Sequence, residues 1–182
     1  MLRWIAGVLL VLSVAACNGA ADLTDAPVPL GDFNLVHNIV VAPKAVKGGP
    51  LSRKVSKDEL SAAMKAAIAE RFDRYEGSKR YHFGVSVEGY VLAQPGVPLV
   101  LSPKSILIIN FTVWDDAAGK KMNDEPHQIT VLESFGSGTL VGSGYTMSAQ
   151  EQLKNLSQNA AKAIERYLVK QQKEQGWFGG VQ

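Results

Sequence analysis

Two Ser-x-x-Glu boxes, Ser56–Glu59 and Ser148–Glu151, constrain what this chain can fold into. In such a box the serine hydroxyl and the glutamate carboxylate satisfy each other's backbone N–H groups, which marks a helix start. Behind the first, Leu60, Met64, Ala67, Ile68 and Phe72 recur at helical spacing up to about residue 75. Behind the second, Leu153, Leu156, Ala160, Ala163, Ile164, Tyr167 and Leu168 do so up to about residue 173. Elsewhere the period is two. Residues 33–43 are β-branched and end in proline, which reads as a strand. Tyr81, Phe83, Val85, Val87 and Val91 alternate with His82, Gly84, Ser86, Glu88 and Tyr90, giving a strand with one wet face. SILIINFTVWD, residues 105–115, is apolar on both alternating sets in its first half and is expected at the centre of the sheet. Residues 115–120 (DDAAGK) make a turn by composition, and 127–135 a further strand. The order strand, helix, strand, strand, strand, helix predicts a single-domain α+β fold. Its mixed sheet starts with a parallel crossover pair, continues as a meander, and carries both amphipathic helices on one face.

The N-terminus is of another kind. MLRWIAGVLLVLSVAAC has one basic residue, an apolar run over residues 5–14, then small residues. This is the layout of a secretory signal peptide, and the run is shorter than the about 20 residues that span a bilayer. The chain's only cysteine closes it, in Val14-Ala15-Ala16-Cys17. That tetrapeptide resembles the lipobox of bacterial lipoproteins. The resemblance implies removal of residues 1–16 and a diacylglycerol on Cys17, which leaves no thiol for redox or nucleophilic work. Asn18 follows, and by the rule of enteric bacteria a residue other than aspartate there implies the outer membrane, facing the periplasm. Residues 17–31 are small, polar and proline-bearing. They are expected to be the lipidated end and a flexible tether of about 45 Å reach at roughly 3.3 Å per residue, or else a segment draped on the domain. The globular domain is expected over residues 32–175, with a tail at 176–182.

Charge and motifs exclude several classes. Lysine plus arginine (19) barely exceeds aspartate plus glutamate (17), without the basic stripe and interleaved aromatics of a nucleic-acid binder. FGSGTLVGSGYTMSAQEQL, residues 135–153, looks like a phosphate cradle, yet no lysine follows its glycines until Lys154, so it is not a P-loop. After Gly136 and Gly138 the next glycine is Gly142, one residue late for the dinucleotide fingerprint. Residues 137–144 resemble the glycine loop of short-chain dehydrogenases, and Tyr75-x-x-x-Lys79 matches their Tyr/Lys pair. Here the two stand in reversed order and the parallel βαβ scaffold is missing. No nucleotide and no cofactor are expected. Ser137 and Ser143 lack the Gly-x-Ser-x-Gly frame of an esterase elbow. His37, His82 and His127 are scattered without metal-ligand spacing. Asp115 and Asp116 could form a carboxylate pair, but their place before Ala-Ala-Gly-Lys favours an aspartate-initiated turn.

What remains is surface. The apolar run Val97, Leu99, Val100 and Leu101, the glycines Gly138, Gly142 and Gly144, and Trp177 with Phe178 are the candidate contact residues, with packing onto their own domain as the alternative. The lysines and arginine of residues 44–57 read as a solvated loop or as a contact to anionic headgroups. Trp114-Asp115-Asp116-Ala117-Ala118-Gly119-Lys120 resembles a strand-then-Asp-x-x-Thr-Gly-Lys turn, with Ala118 in place of threonine. With the element order, it gives the chain a resemblance to uncharacterised envelope lipoproteins related to transport-auxiliary lipoproteins, the curli-secretion lipoprotein and the N-terminal domain of TolB-like proteins. The resemblance implies a membrane-tethered accessory that is no enzyme, held by lipid on Cys17 and meeting a protein partner or its own copies. The competing expectations are a hydrolase assembled from Asp115, His127 or Ser137, and a lipid carrier with a deep apolar cavity.

Overall fold

Alternation along two long strands builds the centre of the molecule. The computed structural model describes residues 20, 22–94, 105–132 and 148–179. The elements are β1 (Asn34–Val41), β2 (Val46–Lys47), α1 (Lys57–Phe72), β3 (Arg80–Val91), β4 (Ile106–Asp115), β5 (Lys120–Lys121), β6 (His127–Leu132), α2 (Ala149–Gln175) and a 3₁₀ turn at Trp177–Gly179. β1 pairs parallel with β3 through the α1 crossover, and β3, β4 and β6 pair antiparallel as a meander. β4 lies between β3 on one side and β5 and β6 on the other, the central place its two-sided apolar first half predicts. The short β2 and β5 carry no periodic signal; β2 adds to β3 and β5 to β4. The fold is α+β, a mixed six-stranded sheet with two helices.

One face of the sheet is apolar because successive strand side chains alternate. Tyr81, Phe83, Val85 and Val87 of β3 and Leu107, Ile109, Phe111 and Val113 of β4 are buried beneath the helices. α1 contributes Leu60, Met64, Ile68 and Phe72, and α2 Leu153, Leu156, Ala160, Ile164 and Leu168. Both capping boxes form, with Ser56 and Ser148 accepting from the Glu59 and Glu151 backbone N–H groups. The helices lie side by side with their N-termini at the same end: Glu70 accepts from Gln158, and Arg71 bonds Glu165 further along both.

Phe33 ties the layers together. Its ring stacks on Tyr81 at 5.4 Å and meets Phe72, Tyr75, Phe83 and Phe178 edgewise or tilted at 4.9–6.3 Å. Gly77 passes close beneath it, where a Cβ would sit 2.3 Å from the Phe33 nitrogen, so no larger residue fits without displacing backbone. α2 ends on Gly176 in the left-handed conformation (φ +67°), which turns the chain back over the core.

Candidate functional site

α1 and α2 each place one charged residue on an apolar stripe. Arg71 and Glu165 are 2% and 3% exposed, and Arg71 Nη1 lies 2.7 Å from Glu165 Oε2. Two buried charges survive only when paired and hydrogen-bonded on their remaining atoms. The other Glu165 oxygen accepts from the Tyr75 hydroxyl at 3.0 Å. Arg71 Nη2 reaches Asp22 Oδ1 at 2.8 Å, and Lys162 Nζ reaches Asp22 Oδ2 at 3.2 Å. Next to this cluster Arg74 donates to the backbone carbonyls of Leu23 (2.7 Å) and Asp25 (2.9 Å). Tyr75 Oη lies 2.9 Å from that of Val28, which shares the hydroxyl's single proton with Glu165. Asp32 donates its N–H to the Phe178 carbonyl, and its carboxylate accepts from Ser78. Leu30 and Phe33 are each 1% exposed. Residues 22–33 are therefore latched across the helix pair at the C-terminal end of α1. This part of the expected tether lies against the helices, with Arg74 on the carbonyls of Leu23 and Asp25 and Arg71 on the Asp22 carboxylate.

The electrostatics follow from that geometry. Arg71 and Lys162 hold the Asp22 carboxyl far below its ordinary range. Burial, reinforced by Glu165, pushes the Tyr75 phenol up, so it stays a neutral donor. Burial disfavours the Arg71 charge, but Asp22 and Glu165 outweigh it and its pKa is raised. The cluster is an ionic clamp that joins residue 22 to both helices.

The opposite face of the sheet has no helix on it among the described residues. It carries His82, Gly84, Ser86 and Glu88 from β3 and Asn110, Thr112 and Trp114 from β4. Ile39 (62% exposed), Val41, Trp114 and Leu132 stand out as apolar. At one end the His37 and His82 rings stack at 4.9 Å. His82 Nε2 lies 2.9 Å from Asp116 Oδ1, and Arg80 Nε 3.3 Å from Asp116 Oδ2. The hydrogen bond to His82, with Arg80 adding, lowers the Asp116 pKa. Among the described residues no group of three histidine, cysteine, aspartate or glutamate side chains is arranged to hold a metal.

An open groove of roughly 520 Å³ runs between β6 and α2, lined by His127, Gln128, Ile129, Tyr167, Lys170 and others. The His127 and Tyr167 rings stack at 3.9 Å, and burial with nearby Lys170 lowers the His127 pKa. The groove does not gather the expected hydrolytic set. His127 is in register with Phe111, and Asp115 lies four residues further along β4, about 13 Å at the rise of a strand. Asp115 Oδ1 accepts from the Ala118 N–H at 2.9 Å, and Gly119 is left-handed (φ +61°), so Asp115 builds the turn. Ser137 lies outside the described residues.

No protein-family model matches the chain, and no curated protein does. Solved structures with a similar chain course exist. Protein XCC0632 from Xanthomonas campestris, of the DUF330 family, aligns at 15% identity and a TM-score of 0.46, covering 83% of this chain and 94% of that one. The PelC dodecamer from Paraburkholderia phytofirmans aligns at 11% and 0.38, covering 75% and 91%. A minor lipoprotein from Acinetobacter baumannii aligns at 13% and 0.29, covering 76% and 91%. Likenesses this distant carry nothing about function.

The candidate contact residues fare unequally. Trp177 and Phe178 are 8% and 1% exposed, so they belong to the core and not to a surface. The left-handed turn at Gly176 swings them onto Tyr167, Tyr81 and Phe33. Cys17, Val97, Leu99, Val100, Leu101, Gly138, Gly142 and Gly144 lie outside the described residues. The basic loop is partly spent on its own backbone: Lys47 Nζ donates to Gly49 and Ser52 carbonyls, and Lys57 Nζ to that of Pro43. Tyr75 and Lys79, the look-alike catalytic pair, are structural, with Tyr75 in the clamp and the Lys79 carbonyl accepting from Asn34. Sequence reading missed Arg71 and Glu165. Their signal is register: each falls on the stripe of its helix, three or four residues from buried Ala67, Ile68, Ala161 and Leu168.

Proposed function

We propose that this chain is a lipid-anchored, non-enzymatic component of the bacterial cell envelope. It is acylated on Cys17 at the periplasmic side of the outer membrane and serves envelope assembly or transport by binding a protein partner or further copies of itself. The observation that carries the reading is the latch. A clamp of buried charges holds the segment beginning five residues after Cys17, as an anchored domain requires if it is to bear on its lipid rather than swing from it. Among the described residues no helix is long and apolar enough to cross a membrane; the anchor in this reading is the lipid on Cys17. The open sheet face, with Ile39, Val41, Trp114 and Leu132, is the surface assigned to the partner, since exposed apolar side chains grouped on one face are what association covers. Residues 97–101 and the glycines at 138, 142 and 144 are counted with it as contact residues.

Two measurements test this reading. In fractionated cells the native chain is expected with the membranes and Cys17→Ser in the soluble fraction; membrane residence of Cys17→Ser contradicts the anchor. A photo-crosslinking residue at Ile39 or Trp114 is expected to give a discrete adduct, and one at Lys154 of α2 none. Recovery of the free monomer alone from Ile39 and Trp114 contradicts the partner surface.

A further inference from the structure

The latch fixes where the anchor leaves the domain, and a line of positive charge lies beside that point. Lys162, Arg166, Lys170 and Lys173 follow one another at spacings of four, four and three along α2, which puts them on one helix face. They span about 17 Å at the helical rise. Arg166, Lys170 and Lys173 are exposed. Of the acids near the stripe, Asp22 is held by Lys162 at 3.2 Å and Glu174 lies 3.9 Å from Lys170. Arg166 and Lys173 have no ion pair among the described residues.

Asp22 touches both the clamp and the first cation of this line. Cys17 is five residues before Asp22, so even a fully extended link keeps it within about 18 Å. α2 alone has 27 residues, about 40 Å of helix. A lipid on Cys17 would therefore hold the bilayer within about 18 Å of Asp22, beside the middle of α2 where Lys162 begins the cationic line.

We propose that the outer face of α2, from Lys162 to Lys173, lies against anionic phospholipid headgroups and orients the anchored domain. The proposal rests on acylation of Cys17 as argued above. Charge complementarity selects the occupant: several lysine or arginine side chains on one face bind an anionic leaflet through summed, short-range attraction that falls off within a Debye length. Because α1 and α2 cover one face of the sheet, this docking turns the other face, with Ile39 and Trp114, toward the aqueous space and a partner.

The test uses the full acylated chain in vesicles of phosphatidylcholine with phosphatidylglycerol, and in vesicles of phosphatidylcholine alone. A fluorophore is placed on Glu174→Cys, beside the stripe, or on Thr112→Cys, on the open sheet face; acylated Cys17 offers no competing thiol. With spin-labelled headgroup lipids, quenching at position 174 is expected to exceed that at 112 several-fold in the anionic vesicles. Arg166→Glu/Lys170→Glu/Lys173→Glu is expected to erase the difference while flotation with the vesicles persists. Equal quenching at the two positions, stronger quenching at 112, or indifference to the triple reversal overturns the orientation while leaving the anchor intact. Absence of flotation overturns the Cys17 reading instead, and a second arm then decides the surface by itself. The unacylated Cys17→Ser chain is expected to bind the anionic vesicles at low salt, with a loss of about tenfold or more on triple reversal. Equal binding to both vesicle types, binding to neither, or retention after reversal overturns the proposal. Unchanged thermal unfolding of the triple variant confirms that it is folded.

Discussion

The two faces of the sheet follow different rules. The covered face is apolar at every second residue of β3 and β4, and its charges are confined to one clamp in which each partner is accounted for: Arg71, Glu165, Tyr75 and Asp22. The open face mixes Gly84, Ser86, Asn110 and Thr112 with exposed Ile39 and Trp114. On the first face, side-chain identity specifies the fold. On the second it is free to serve contact, because among the described residues little is buried against it. The clamp also shows how a stretch of small residues becomes ordered. Within residues 22–30 Leu30 enters the core, and Arg74 and Tyr75, just beyond the end of α1, reach the backbone carbonyls of Leu23, Asp25 and Val28.

The contrast is broken most strongly at Arg71. Arg71→Met leaves Glu165 buried without its cation, and a loss of about 3–5 kcal/mol is expected in urea unfolding. A loss under about 1 kcal/mol would show that water enters the clamp and that the covered face tolerates charge as the open one does. Asp22→Asn is expected to cost less, about 1–2 kcal/mol near neutral pH, since Asp22 is 32% exposed. Its pH dependence has a definite sign. The folded pKa of Asp22 is depressed, so its contribution is present above the ordinary aspartate value and is lost as the pH falls below about 5. The stability gap between the native chain and Asp22→Asn should narrow on acidification; a gap independent of pH from neutral down to acid unfolding contradicts the ion pair. Ser148→Ala, which removes a cap, is expected to cost about 1 kcal/mol. Smallest of all, Ile39→Thr on the open face should leave stability within about 0.5 kcal/mol while weakening partner capture. A larger loss there would mean that Ile39 serves the fold.

How much of this was legible in the sequence depends on which force acts at each residue. The caps at Ser56 and Ser148 and the alternation from Tyr81 to Val91 are local signals, and the elements they predict form in the predicted order. The aspartate turn at Asp115 was legible for the same reason. The clamp was not, because its members are 49 and 94 residues apart in sequence and charge ordinarily marks a solvated position. Only the placement of Arg71 and Glu165 on apolar stripes hinted at burial. Trp177 and Phe178 were ambiguous in sequence because the deciding feature is the left-handed Gly176, which sends them back onto Phe33 instead of into solvent. Gly77 carries no local signal for its role, the close approach of the Phe33 backbone, because that contact is 44 residues away in sequence.

The central claim is that residues 22–31 belong to the folded domain and hold it close to its anchor. Backbone ¹⁵N relaxation on the Cys17→Ser chain tests it directly. The claim predicts order parameters of about 0.85 for residues 22–31, equal to those of α1, with a fall in Arg71→Met. Values below about 0.6 across this segment in the native sequence would describe a free tether and contradict it.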